Sequence, residues 1–198
     1  MKRIGAGLGL VCAVLLWAGS ASALTLSPNP VAFSNGTDIG TITLVGTATG
    51  VPVGGTVVVG TVGVGDITLI FQVTVTGGAL ESVGVGATGL SGPPFLSSTG
   101  AGRIAGANVD VTTVTGTAGT RIFDFDSDGD LDGGQTSDLF FVSWSSLSDA
   151  GDRKVNFMVN GSVGSDFTVS GVVVAPEPAL AVLVAVGALA LFGARHRH

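Results

Sequence analysis

Asp66-Ile67-Thr68-Leu69-Ile70-Phe71-Gln72-Val73-Thr74-Val75-Thr76 is the stretch on which the fold turns. Ile67, Leu69, Phe71, Val73 and Val75 fall on one face of an extended chain, and Thr68, Gln72, Thr74 and Thr76 on the other. A period of two residues is that of a strand with one face buried. The same alternation recurs at Ile39 to Thr47, Thr56 to Val64, Ala107 to Thr115, Arg121 to Phe125, Leu139 to Trp144, Lys154 to Val159 and Phe167 to Val174. Asn35-Gly36, Gly54-Gly55, Gly77-Gly78 and Asn160-Gly161 punctuate these runs as turn dipeptides do.

No part of residues 24–175 shows a convincing 3.6-residue period. Eight or so short strands separated by turns predict an all-β domain, an antiparallel β-sandwich. Residues 77–106 are rich in Gly, Ser and Ala, and the reading for them is long loops around one or two weak strands. The Gly/Thr/Val texture of residues 36–65 offers a β-solenoid as the alternative, although its glycines keep no fixed spacing. Composition agrees with an all-β chain. With 33 Gly in 198 residues it is a poor helix former, and with 45% hydrophobic and 11% charged residues it is too apolar for disorder.

The two ends read differently from the middle. Met1-Lys2-Arg3 precedes an apolar run from Ile4 to Trp17, and Ala21 and Ala23 then form a small-residue A-x-A site. Residues 1–23 are therefore expected to be a secretory signal peptide cut by signal peptidase, leaving Leu24 as the new N-terminus. Cys12, the one cysteine of the chain, falls inside that segment, so the exported domain has no disulfide to rely on.

At the other end, Pro176-Glu177-Pro178 is followed by sixteen uncharged residues, Ala179 to Ala194, and then by Arg195-His196-Arg197-His198. As a helix the uncharged run spans about 24 Å, short of a hydrocarbon core of about 30 Å, so it crosses a bilayer only with thinning or snorkelling. Arg195 and Arg197 would hold its end on the cytoplasmic side. This order of features resembles the PEP-CTERM sorting signal of Gram-negative bacteria, with the resemblance confined to residues 176–198. It implies that an exosortase, a membrane-embedded cysteine transpeptidase, reads Pro176, Glu177 and Pro178 and removes the tail, usually in bacteria that build an exopolysaccharide matrix. The expected organisation is a signal peptide (1–23), a β-sandwich domain (24–175) and a sorting signal (176–198) whose transmembrane helix is 179–194. Localisation would be transient inner-membrane anchoring followed by the cell surface or the extracellular matrix.

Residues 24–175 carry four basic and thirteen acidic side chains, a net charge of −9. Such a charge argues against nucleic acid or anionic lipid as a partner of this domain. Both histidines, His196 and His198, lie in the tail, and this domain has neither Cys nor Tyr. A Ser-His-Asp triad, a Cys-His pair and a histidine zinc site are thereby ruled out for it. Glu81 is its single Glu, a meagre supply for a carboxylate-only hydrolase. The chain is read as a non-enzyme with a structural or adhesive role, the alternative being a carbohydrate-binding module of the exopolysaccharide matrix.

One constellation points to a ligand. In Asp124-Phe125-Asp126-Ser127-Asp128-Gly129-Asp130-Leu131-Asp132-Gly133-Gly134-Gln135, Asp stands at loop positions 1, 3 and 5 and Gly at 6. That is the first half of an EF-hand-type calcium loop. Asp130 would offer its backbone carbonyl and Asp132 a carboxylate, while Gln135 stands where a bidentate Glu is expected and Asp138 is a further candidate from the next strand. The flanks read as strands, so the loop is expected to bind calcium on a β scaffold. A solvated acidic turn is the alternative. Asn35-Gly36-Thr37 and Asn160-Gly161-Ser162 fit the glycosylation sequon, but a hairpin turn explains both. Phe140, Phe141 and Trp144 are read as core rather than as a binding face.

Overall fold

The alternation becomes two antiparallel sheets in the computed structural model, which describes residues 24–125, 130–145, 147, 152–161 and 167–174. Fourteen strands follow in order: β1 (Thr25–Ser27), β2 (Val31–Ser34), β3 (Ile39–Thr49), β4 (Gly55–Gly60), β5 (Ile67–Gly77), β6 (Ala79–Gly89), β7 (Gly92–Leu96), β8 (Gly100–Ile104), β9 (Val111–Gly116), β10 (Arg121–Phe125), β11 (Leu131–Asp132), β12 (Leu139–Trp144), β13 (Arg153–Gly161) and β14 (Phe167–Val174). The larger sheet runs β1-β14-β13-β6-β10-β9, with β7 and β11 also pairing to β6. The smaller runs β2-β3-β5-β12-β8-β4. All pairings between these strands are antiparallel and neither sheet closes on itself. Stacked solenoid coils need parallel neighbours, so the sandwich-like reading stands and the solenoid is set aside.

Among the described residues there is no helix, and none long and apolar enough to cross a membrane. Ala21, Ala23, Pro176, Glu177, Pro178, the expected helix 179–194, Arg195 and Arg197 lie outside the described residues.

The core is the interleaving of two inner faces. Phe71 and Phe140 of the smaller sheet meet Phe123, Phe125 and Phe157 of the larger. Phe71 sits edge-on to Phe157 with centroids 5.4 Å apart, and Phe140 lies 4.5 Å from Phe123 and 6.2 Å from Phe125. All five rings are at most 1% exposed. Pairs of this kind add about 0.5–1.5 kcal/mol each beyond their area burial. Phe141 and Trp144 are also fully buried, so these side chains are core. Phe141 points to the other face of its sheet, where it packs over Gly102, its partner across β8 and β12, and against Gly55. A Cβ on Gly102 would collide with the Thr56 carbonyl and with the Phe141 ring. The chain between β3 and β4 covers this face, and Thr68 Oγ1 lies 2.6 Å from both the Gly50 carbonyl and Ser143 Oγ.

One expectation fails here. Residues 77–106 are not mainly loop: β6 is an eleven-residue strand at the centre of the larger sheet. It alternates, but with small residues. Val83, Val85 and Ala87 join the core, while Ser82, Gly84, Gly86 and Thr88 face out. Its stability comes from both neighbours, β13 along its whole length on one side and β11, β10 and β7 in succession on the other. The strands Thr25–Ser27, Val31–Ser34, Gly92–Leu96 and Gly100–Ile104 likewise have no counterpart in the alternation.

The short link Gly77-Gly78 between β5 and β6 fixes which strand ends coincide. One end of the sandwich carries Thr49, Ile67, Gly89, Trp144 and Arg153 together with Thr25 and Val174, which pair with each other. We name it the terminal end. The opposite, acidic end carries Gly77, Ala79, Phe125, Leu131, Gly161 and Phe167.

Phe140→Ala should be the most damaging single truncation in the rings between the sheets, since Phe140 touches Phe71, Phe123 and Phe125. A loss of about 3–5 kcal/mol is expected, a fall in Tm of about 10 °C for a domain of this size. Thermal melting followed by near-ultraviolet circular dichroism checks it; a fall below about 3 °C would show that the aromatic cluster does not hold the sheets together.

Candidate metal loop and the outer face of the larger sheet

The acidic loop leaves β10 and returns through β11. Asp124 pairs with Ser82 and Thr113 and, one residue out of phase with Phe123 and Phe125, projects from the outer face. Desolvation by burial raises its carboxyl above the ordinary range. Asp126 and Asp128, positions 3 and 5 of the pattern, lie outside the described residues, whereas Asp130 is half-buried and Asp132 exposed. Gln135 closes its own turn: its Oε1 accepts from Asp132 N–H at 2.7 Å and its N–H donates to the Asp132 carbonyl at 2.9 Å. Asp138 faces another segment, accepting from Gly106 N–H at 2.6 Å and Asn108 N–H at 3.0 Å while only 2% exposed. Among the described residues no three His, Cys, Asp or Glu side chains are grouped to hold a metal ion.

Two further carboxylates are spent on turns. Asp38 is fully buried and accepts from Asn35 Nδ2 at 2.8 Å and Ala79 N–H at 3.1 Å, tying the β2–β3 turn to the start of β6. Asp66 accepts from Gly63 N–H at 2.8 Å and Thr99 Oγ1 at 2.6 Å. Charged acceptors facing amide donors make hydrogen bonds roughly twice as strong as neutral ones. Sequence reading passed over both positions, although the Asx turn in Asn35-Gly36-Thr37-Asp38, where Asn35 Oδ1 accepts from Thr37 and Asp38 N–H, was a usable signal.

A second feature was not foreseen. On the outer face of the larger sheet two adjoining hollows of about 190 and 220 Å³ share Met158 and Thr168. Gly84 of β6 lines the first hollow, and Met158 and the Phe95 ring cover the places where Cβ atoms on Gly84 and Gly86 would stand. Amides and hydroxyls border it: Asn156 Nδ2 donates to Thr88 Oγ1 at 3.3 Å and Asn160 Nδ2 to Glu81 Oε2 at 3.2 Å. Phe95 and Met158 are 44% and 38% exposed.

Comparison with protein-family models, curated proteins and solved structures gave no match to this chain.

For calcium at about ten times a dissociation constant of 0.1–1 mM, mass action adds about 1.4 kcal/mol, a rise in Tm on the order of 3 °C. The expected outcome is that wild type shows this rise on passing from EDTA to millimolar calcium and that the pair Asp124→Asn with Asp128→Asn loses it, while Asp152→Asn keeps it. The folded Asp124 carboxyl titrates above its unfolded value because burial desolvates it, so ionisation weakens the calcium-free fold above the folded pKa, and the effect vanishes below the unfolded one. Asp124→Asn alone should therefore melt no lower than wild type in EDTA at neutral pH. Equal wild-type melting in EDTA and calcium would leave a solvated acidic turn.

Proposed function

We propose that this chain is an exported bacterial surface or matrix protein, processed at both ends and serving a structural or adhesive, non-enzymatic role with calcium bound at residues 124–132. Signal peptidase acts after Ala23 and an exosortase at Pro176-Glu177-Pro178, the inner membrane holding residues 179–194 in between. The observation that carries the reading joins sequence to fold. The first strand begins two residues after Ala23 and the last ends two residues before Pro176, and these strands pair, Thr25 opposite Val174. Cuts at both signals thus release the whole sandwich without removing a strand from it. The absence of Cys from residues 24–175 is compatible with export because the aromatic core and the buried Asp staples do the work that disulfides do elsewhere.

Protein recovered from the medium of its native host should begin at Leu24 and end close to Pro178 by intact mass. Glu177→Ala should leave export unchanged and hold the protein in the inner membrane. Residues 179–198 still attached to extracellular protein, or equal release of the mutant, would overturn the sorting reading.

The outer face of the larger sheet favours a second reading, a module that binds matrix polysaccharide. Exposed Phe95 and Met158 offer apolar surface to the faces of sugar rings, and Asn156, Asn160, Thr88 and Thr168 offer the amides and hydroxyls that pair with sugar hydroxyls. Affinity electrophoresis against the host's own polysaccharide separates the two readings: the binding module is retarded and Asn156→Ala with Met158→Ala abolishes the retardation, whereas a purely structural protein migrates unhindered.

A further inference from the structure

The two ends of the sandwich differ in chemistry. At the terminal end, Val51 follows β3, Val64 precedes β5 and Leu90 follows β6. All three are exposed, Val64 to 92%. The first two of these loops form one surface, because Gly50 N–H donates to the Asp66 carbonyl at 2.8 Å and Gly50 packs against Val64. Ile39 to Gly65 contains no charged residue. Of the charged side chains described at this end, Asp66 and Arg121 are buried, and Asp152, Arg153 and Lys154 are half-buried. The acidic end carries Glu81, Asp124, Asp130 and Asp132.

The chain leaves the domain at the apolar end. Thr25 and Val174 pair there, and four residues separate Val174 from Ala179, a reach of at most about 17 Å over five steps. While the tail is held in a bilayer, as the function proposed above requires, the apolar end is the one within reach of the lipid.

We infer that Val51, Val64 and Leu90 form a lipid-contact surface that seats the domain on the bilayer until the tail is cut. This inference rests on the tethered reading. Isolated exposed valines are ordinary, but these lie together at the one end the tether brings to the membrane. The net charge of −9 disfavours an anionic surface for the domain as a whole, but its distribution fits this orientation: Arg153 and Lys154 would face the bilayer, and the acidic loop would point away from it. The seat would hold Pro176-Glu177-Pro178 at the membrane surface, where an enzyme embedded in the membrane can reach it.

The test uses the unprocessed chain with Cys12→Ser, carrying one cysteine labelled with an environment-sensitive dye, on vesicles of phosphatidylethanolamine and phosphatidylglycerol. Flotation with the vesicles reports the tether, and the dye reports the seat. A label introduced by Val64→Cys should shift to the blue and become severalfold less accessible to an aqueous quencher, while one at the acidic end, Thr37→Cys, should change in neither respect. Val51→Asp with Leu90→Asp should abolish the shift at position 64 without affecting flotation or melting temperature. Flotation with position 64 still in water overturns the lipid seat and spares the tether. Loss of flotation overturns both. A shift that grows with the protein-to-lipid ratio, with cross-linking between the cysteines of two chains, identifies a second copy as the occupant and overturns the lipid assignment.

Discussion

The contact between Phe140 of the smaller sheet and Phe123 of the larger, 4.5 Å between centroids, is the interaction on which the rest depends. Each sheet alone would expose a full apolar face, and residues 24–175 contain no cysteine to join the sheets. Hydrophobic burial between the two faces is therefore the main cohesive term, on the order of 25 cal/mol per Å² removed from water. Phe71 and Phe140 project from neighbouring strands of one sheet and close on rings from β10 and β13 of the other. The strands that supply these rings lie inside their sheets, where both edges are paired.

Glycine is abundant because the large rings need somewhere to lie. Phe33 faces Gly40 across β2 and β3, Phe141 faces Gly102 across β8 and β12, and Met158 faces Gly84 across β6 and β13. In each pair a large side chain covers backbone that a glycine leaves bare, which offsets the weakness of glycine in a strand interior. This exchange also explains how far the sequence could be read. Alternation between large and small positions is easy to see in Ile67–Gly77, where the inner residues are Leu, Phe and Val. It is faint in Ala79–Gly89, where the outer residues are Ser, Gly and Thr and the covering side chains come from residues distant in the chain. Such pairing leaves no local trace, and a central strand therefore reads as loop.

The candidate site was legible to a similar degree. The D-x-D-x-D-G pattern is local and visible, but Asp138, which local order suggests as a neighbour of the loop, is drawn instead to Gly106 and Asn108. Two amide donors satisfy its carboxylate where a cation would otherwise be needed. Asp38 and Asp66 follow the same rule, each buried against N–H, hydroxyl or amide donors. A buried carboxylate without donors would be strongly unfavourable, so these turns and their aspartates specify one another. The outer hollow beside Met158 had no sequence signature, because it is assembled from β6, β7, β13 and β14.

The distribution of charge follows from the same architecture. Strands whose inner face is core and whose outer face must pair closely with neighbours are filled by Val, Thr, Ser and Gly, so the acidic residues collect in the connections. Antiparallel order sends these connections alternately to the two ends of the sandwich. The Asp-rich link between β10 and β11 lies at one end, while the link between β4 and β5, uncharged up to the buried Asp66, lies at the other. A chain that is acidic as a whole thus acquires one end rich in carboxylates and one that is apolar and nearly neutral. Because β1 and β14 pair, both termini leave from the apolar end. Attached by a short segment to an anionic surface, such a domain would be turned by its own charge so that the acidic end faces the solvent.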